Sequence, residues 1–245
     1  MADLAYGPDP RQRLDLYRPA GVGPAPVLLW VHGGGFVRGE KHSPTHPYNA
    51  HIGRFAARHG LLGAVMNYRL APGHVYPAGG EDVGLAINWL RREARQYGGD
   101  PEAIVAAGTS AGAVHIATHL QLRAGHELLR GAALLSGLYG ATPLDPSDLK
   151  YFAADTAAHP GRAALEALVA TRVPLFVACA EFDPPRFQAE TLALLQRYLD
   201  MRGHLPRTWL AGGHNHYSMA MHLGGRDQRL ANELLSFITE VCNHE

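Results

Sequence analysis

Residues 104–120 read IVAAGTSAGAVHIATHL. An apolar run of strand length turns, within five residues, into a pattern with helical periodicity. The junction is Gly108-Thr109-Ser110-Ala111-Gly112, a G-x-S-x-G. A strand that must reverse into a helix over so few residues makes a sharp turn, and the turn lifts the serine hydroxyl clear of the strand end. The flanking glycines leave room where a Cβ would meet neighbouring backbone. The first amides of the helix point at the position where negative charge would form on an attacked carbonyl. Glycine and serine are common enough for the five-residue pattern to arise by chance. What gives it weight is the strand before it and the helix after it; the plainer alternative is a serine that merely opens a helix.

Working outward, short apolar runs alternate with longer helical patterns. Strands are expected at 13–17, 27–32, 62–68, 104–108, 131–136, 174–180 and 207–211, several as continuous apolar runs suited to burial on both faces. Helices are expected at about 47–59, 79–97, 111–124, 160–170, 185–202 and 227–242. Val83, Ile87, Leu90 and Ala94 recur at helical spacing, and Ala189, Leu192, Leu195 and Leu199 read as the apolar face of the 185–202 helix. This alternation predicts an α/β fold, with a mostly parallel sheet and helices on both faces, in one domain over residues 1–245. The stretches 35–47 and 139–161 look irregular, and each follows a strand. Loops in that position line the ligand crevice of open α/β sheets, although plain surface connections read the same way.

His32-Gly33-Gly34-Gly35 directly follows a buried strand. Three successive glycines suit a loop whose amides approach a ligand closely, as oxyanion stabilisation requires. A tight turn without a chemical role reads the same way, whereas a phosphate loop is excluded, because the Lys-Ser/Thr ending and the G-x-G-x-x-G spacing are both missing.

A serine nucleophile needs a base, and the base needs an orienting carboxylate. PLFVACAEFDPPRF supplies Glu181 and Asp183 at the end of a late buried run. Asp183 is the preferred acid, since Pro184-Pro185 hold it extended and stop the strand, with Glu181 as the alternative. After the last strand, AGGHNHYSMAMHLGG offers His214, His216 and His222. The base is expected to be His214 or His216. A metal site built from the three lacks an H-E-x-x-H or cysteine-rich partner set. His42, His46 and His51 read as loop and helix-surface residues, and no metal or cofactor is expected.

The 245 residues carry 22 basic and 22 acidic side chains, which argues against electrostatic capture of nucleic acid or an anionic membrane. No stretch approaches the roughly 20 apolar residues of a membrane span, and MADLAYGPDP lacks the features of a secretory signal. Cys179 and Cys242 read as one buried thiol and one thiol on the last helix, without a disulfide. A soluble cytoplasmic protein is expected, acting on a small molecule. Its oligomeric state is left open, a homodimer included.

With HGGGF (32–36), NYRLAPGHVYPAGGEDV (67–83), GTSAG (108–112), EFDPPRF (181–187) and GHNHYS (213–218), the chain resembles the α/β-hydrolases over nearly its whole length. The resemblance is to the hormone-sensitive-lipase-like esterases and to their relatives, the kynurenine formamidases and small carboxylesterases. It implies Ser110 as nucleophile, Asp183 as acid, and an oxyanion hole from Gly34, Gly35 and the Ala111 amide. The family's histidine is typically followed by an aromatic residue, which favours His216-Tyr217 over His214-Asn215. Three features depart from the pattern. Only 31 residues precede His32, which implies a minimal cap; Thr109 stands where members often have Asp or His; and Ala71-Pro72-Gly73-His74 replaces A-P-E-H. The activity implied is hydrolysis of small, short-acyl carboxylic esters without a cofactor. An aryl formamidase with the same triad is the alternative, and a non-catalytic binding protein on this scaffold is a third reading.

Overall fold

Strand β3, Ala25–Val31, shows why the chain folds in three layers. Val27, Leu29 and Val31 enter one apolar cluster while Leu28 and Trp30 enter another, so the strand is buried on both faces. Full burial of such side chains stabilises by about 1.5–3 kcal/mol each. The computed structural model describes residues 1–21, 23–125, 128–153 and 160–243. Among them, β1 (Leu4–Ala5), β2 (Arg13–Tyr17), β3, β4 (Leu62–Met66), β5 (Gly99–Thr109), β6 (Gly131–Leu135), β7 (Leu175–Phe182) and β8 (Arg207–Asn215) form one sheet in the order β1-β2-β4-β3-β5-β6-β7-β8. The β1–β2 and β2–β4 pairs are antiparallel, and all other pairs are parallel.

Helices α1 (Ala50–Arg58) and α8 (Arg229–Asn243) cover one face. Phe55, Leu234, Phe237 and Ile238 pack there on Leu28, Val105 and Phe176. Helices α2 (Ala78–Glu93), α3 (Ala111–Leu122), α5 (Leu165–Ala170) and α6 (Pro185–Arg202) cover the other, where Val83, Ile116, Leu168 and Leu194 meet Leu29, Ile104 and Leu134. Two short helices, α4 (Leu149–Phe152) and α7 (Ser218–Met221), follow β6 and β8. No helix of the described residues is long and apolar enough to cross a membrane. The chain thus has the expected α/β architecture, with α6 at the expected bounds.

The differences have local causes. The 62–68 strand stops at Met66, and β5 begins at Gly99, where Gly99 pairs with Ala25. β8 continues through Gly212 and Gly213 to Asn215, so His214 lies inside the strand. The expected 160–170 helix is a single 3-10 turn at 160–162 followed by α5. The 139–161 stretch contains α4, and its residues 154–159 lie outside the described residues.

The largest correction concerns α6. Ala189, Leu192 and Leu199 are exposed, Leu192 by 67%, whereas Leu195 is half-buried against the core and Glu190, Thr191, Leu194 and Tyr198 are buried. Glu190 turns the helix. Its carboxylate accepts hydrogen bonds from the Tyr139, Gly140, Ala141 and Thr142 amides at 2.7–3.2 Å and from the Thr142 hydroxyl at 2.5 Å. Buried donors without partners are costly, so the loop's need for an acceptor outweighs leucine burial on the opposite face.

Candidate active site

Ser110 sits between β5 and α3 with φ 53° and ψ −121°, a conformation that non-glycine residues rarely hold. The turn is held from below. The Ser110 amide donates to the Leu135 carbonyl at 2.8 Å, and a Cβ on Gly112 would lie 2.0 Å from the Val31 carbonyl oxygen. Only glycine allows α3 to come this close to β3. Beside the turn, the loop after β3 reverses through Gly34 (φ 138°), Gly35 (φ 59°) and Phe36 (φ 67°). A Cβ on Gly34 would strike the Arg38 carbonyl at 2.0 Å, and Gly33 lies directly against Thr109 and Ser110. Ala111 opens α3, so its amide is among the first-turn donors that the helix itself leaves unpaired.

β7 delivers Asp183. Pro184 caps and Pro185 opens α6, so the chain leaves the sheet immediately after the carboxylate. His216 follows β8 in a turn closed by Asn215, whose Oδ1 accepts the Tyr217 and Ser218 amides. His216 Nδ1 lies 2.7 Å from Asp183 Oδ1, and its Nε2 lies 3.0 Å from Ser110 Oγ. An ionised carboxylate only accepts, so Nδ1–H donates to Asp183 and Nε2 accepts from the serine hydroxyl. Phe187 packs on the imidazole with ring centroids 4.2 Å apart.

Burial alone would raise the Asp183 carboxyl. Hydrogen bonds from His216, Ser136, the Ala180 amide and Cys179 together hold it below the usual carboxylate range. The Cys179 thiol, pushed up to about 12 by burial and by Asp183, stays protonated as a donor. Behind the Gly34–Phe36 turn, burial pushes His32 down to about 4 and His115 down to about 3, so both are neutral packing elements. His115 sits among Phe36, Tyr68 and Tyr151, and both of its ring nitrogens lack a hydrogen-bond partner.

The structure brings Ser110, Asp183 and His216 together and sends the alternatives elsewhere. Glu181 accepts the Gly213 amide at 2.7 Å. His214 faces Ser218 Oγ (3.1 Å) and Asp227 Oδ2 (3.0 Å), with His222 edge-on against it at 5.1 Å. His46 and His51 both pack against Tyr48, and His51 also contacts the Ala220 carbonyl, while His42 is exposed. Among the described residues, no three His, Cys, Asp or Glu side chains converge on a metal position. Cys179 and Cys242 are free thiols. Sequence reasoning missed Ser136, Cys179 and Phe187 as neighbours of the Asp183–His216 pair.

A family model described as BD-FAE matches residues 14–134, a stretch that contains Ser110 and ends before Asp183 and His216. Phenmedipham hydrolase of Pseudarthrobacter oxydans is 34% identical over 152 residues, covering 60% of this chain and 30% of the relative. Esterase LipC of Mycobacterium tuberculosis is 40% identical over 111 residues, covering 44% and 27%. The chain thus spans less than a third of the length of these relatives. Among solved structures, a Pyrobaculum calidifontis esterase superposes with a TM-score of 0.74 at 24% identity, covering 93% of this chain and 81% of the other. Esterase B from Lactobacillus rhamnosis superposes with a TM-score of 0.80 at 21% identity, covering 99% and 85%.

Proposed function

We propose that the chain is an α/β-hydrolase and a serine carboxylesterase whose 245 residues act as one domain, a reading supported by the match over residues 14–134 and by the shared fold. The observation that carries this reading is the unbroken relay from Ser110 Oγ through His216 to Asp183, with contacts of 3.0 and 2.7 Å. Ser110 attacks the ester carbonyl while His216 Nε2 takes its proton. Asp183 holds the imidazole in the Nδ1–H tautomer and stabilises the imidazolium. The amides of Gly34, Gly35 and Ala111 donate hydrogen bonds to the negatively charged carbonyl oxygen, each such donor lowering the barrier by on the order of 3 kcal/mol. The imidazolium then protonates the departing alcohol, and water repeats the cycle on the acyl-enzyme. The scheme uses no cofactor.

A preference for short acyl groups belongs to the same reading. Beside Ala111, the space against α3 is filled by Phe36, Val114, Leu138, Tyr151 and Phe152, which leaves little apolar wall for a long chain. The test is a panel of p-nitrophenyl esters of increasing acyl length, with N-formylkynurenine assayed alongside. The reading expects kcat/KM to be highest for acetate or butyrate and to fall with longer chains. Turnover of N-formylkynurenine with none of the esters would assign the same triad to a formamidase instead.

A further inference from the structure

Ser136 lies one residue beyond β6, wholly buried, with φ 50°. A non-glycine residue is held there at a cost, and such strain persists where the surroundings fix it. Its contacts run to both sides. Its amide donates to the Ala178 carbonyl of β7 at 2.9 Å, and its hydroxyl donates to Asp183 Oδ2 at 2.5 Å. The residue before it, Leu135, accepts the Ser110 amide at 2.8 Å. Two consecutive residues at the end of one strand therefore touch the nucleophile's turn and the carboxylate oxygen that faces away from His216, and they set the spacing between the two.

From this geometry we infer that Ser136 is a positioning residue for the acid–base pair, turning Oδ1 of Asp183 toward His216 and drawing negative charge onto Oδ2. The inference rests on the triad reading given above. Oδ2 also receives the Ala180 amide at 2.8 Å and the Cys179 thiol at 3.3 Å, while Oδ1 is left to His216. A donor hydrogen on one carboxylate oxygen lowers the basicity of the whole group. Removing it concentrates charge on Oδ1, stabilises the imidazolium more, and makes His216 protonate at higher pH. The other titratable groups facing the pair are Cys179 on β7, the buried Tyr139 phenol, and Tyr217 in the base's own turn.

Two substitutions separate the hydroxyl from the backbone. Ser136→Ala keeps the strained φ and removes the oxygen; Ser136→Gly removes both the oxygen and the strain, so its folded state is protected. The pH at which the His216 ring resonances titrate is read by histidine-selective 15N NMR, and the pH dependence of p-nitrophenyl acetate hydrolysis is read beside it. The expected result is an upward shift of the NMR midpoint by about 0.5–1 unit in both variants. With it goes a fall in kcat of roughly tenfold with KM nearly unchanged. No shift, a downward shift, or a shift in only one variant overturns the inference, the last by assigning the effect to backbone conformation. A midpoint that moves in a protein whose wild type hydrolyses no ester leaves the positioning role standing and removes the esterase reading instead.

Discussion

Replacing Glu190 by alanine deletes the acceptor for four consecutive amides and one hydroxyl of the 139–142 loop. Glu190 is 1% exposed, so water does not readily take its place. Hydrogen bonds to a charged group contribute about 1.5–3 kcal/mol each, and five would sum well beyond what a domain can lose. The loop relaxes when the carboxylate goes, and removal of one member of a buried polar network costs about 3–5 kcal/mol in practice. For a chain of this size that corresponds to a fall in Tm of roughly 10 °C. Glu190→Gln gives an internal check. Oε2 serves Tyr139, Gly140 and Ala141 while Oε1 serves Thr142, so an amide keeps one set and opposes an N–H with an NH2 at the other. About half the alanine loss is expected for glutamine. Urea unfolding followed by circular dichroism measures both. A loss below about 1 kcal/mol for the alanine variant would refute the idea that this carboxylate, rather than leucine burial, orients α6.

Two further perturbations probe the site and its support. His216→Ala should lower kcat by several orders of magnitude while His214→Ala lowers it by about tenfold or less, because only His216 reaches Ser110; the reverse order in a steady-state assay would reassign the base. His115→Phe should stabilise the fold by about 1–2 kcal/mol at neutral pH, since it removes two buried ring nitrogens without partners. Its effect should grow on acidification. An imidazole held down to about 3 in the folded state takes up its proton first in the unfolded chain, so wild-type stability falls as pH drops from about 6.5 toward that value. Urea midpoints with equal pH slopes in the two proteins would contradict this.

How much was legible in the sequence follows from what each feature rests on. Strands β3, β4 and β6 are buried on both faces, so they read as unbroken apolar runs, and G-x-S-x-G and HGGG are backbone requirements written as glycine. That Asp183 rather than Glu181 would stand apart from the strand, where it meets His216, was legible through Pro184-Pro185, which end β7 and open α6. The face of α6 was not. Periodicity weighs leucine against solvent and cannot register a carboxylate needed by a loop about 50 residues earlier in the chain. Ser136 and Cys179 escaped for a related reason: a hydroxyl and a thiol at the ends of two apolar strands form no pattern until β6 and β7 lie side by side. β8 was cut short because Gly212-Gly213 look like a strand end, although β7 carries the pairing on to Phe182 and Asn215.

Removal of the Ser110 hydroxyl tests the hydrolase reading most directly. Ser110→Ala, assayed on p-nitrophenyl acetate with its fold verified by circular dichroism, should lose roughly a million-fold in kcat. A folded Ser110→Ala protein that turns the ester over at close to the wild-type rate would contradict it.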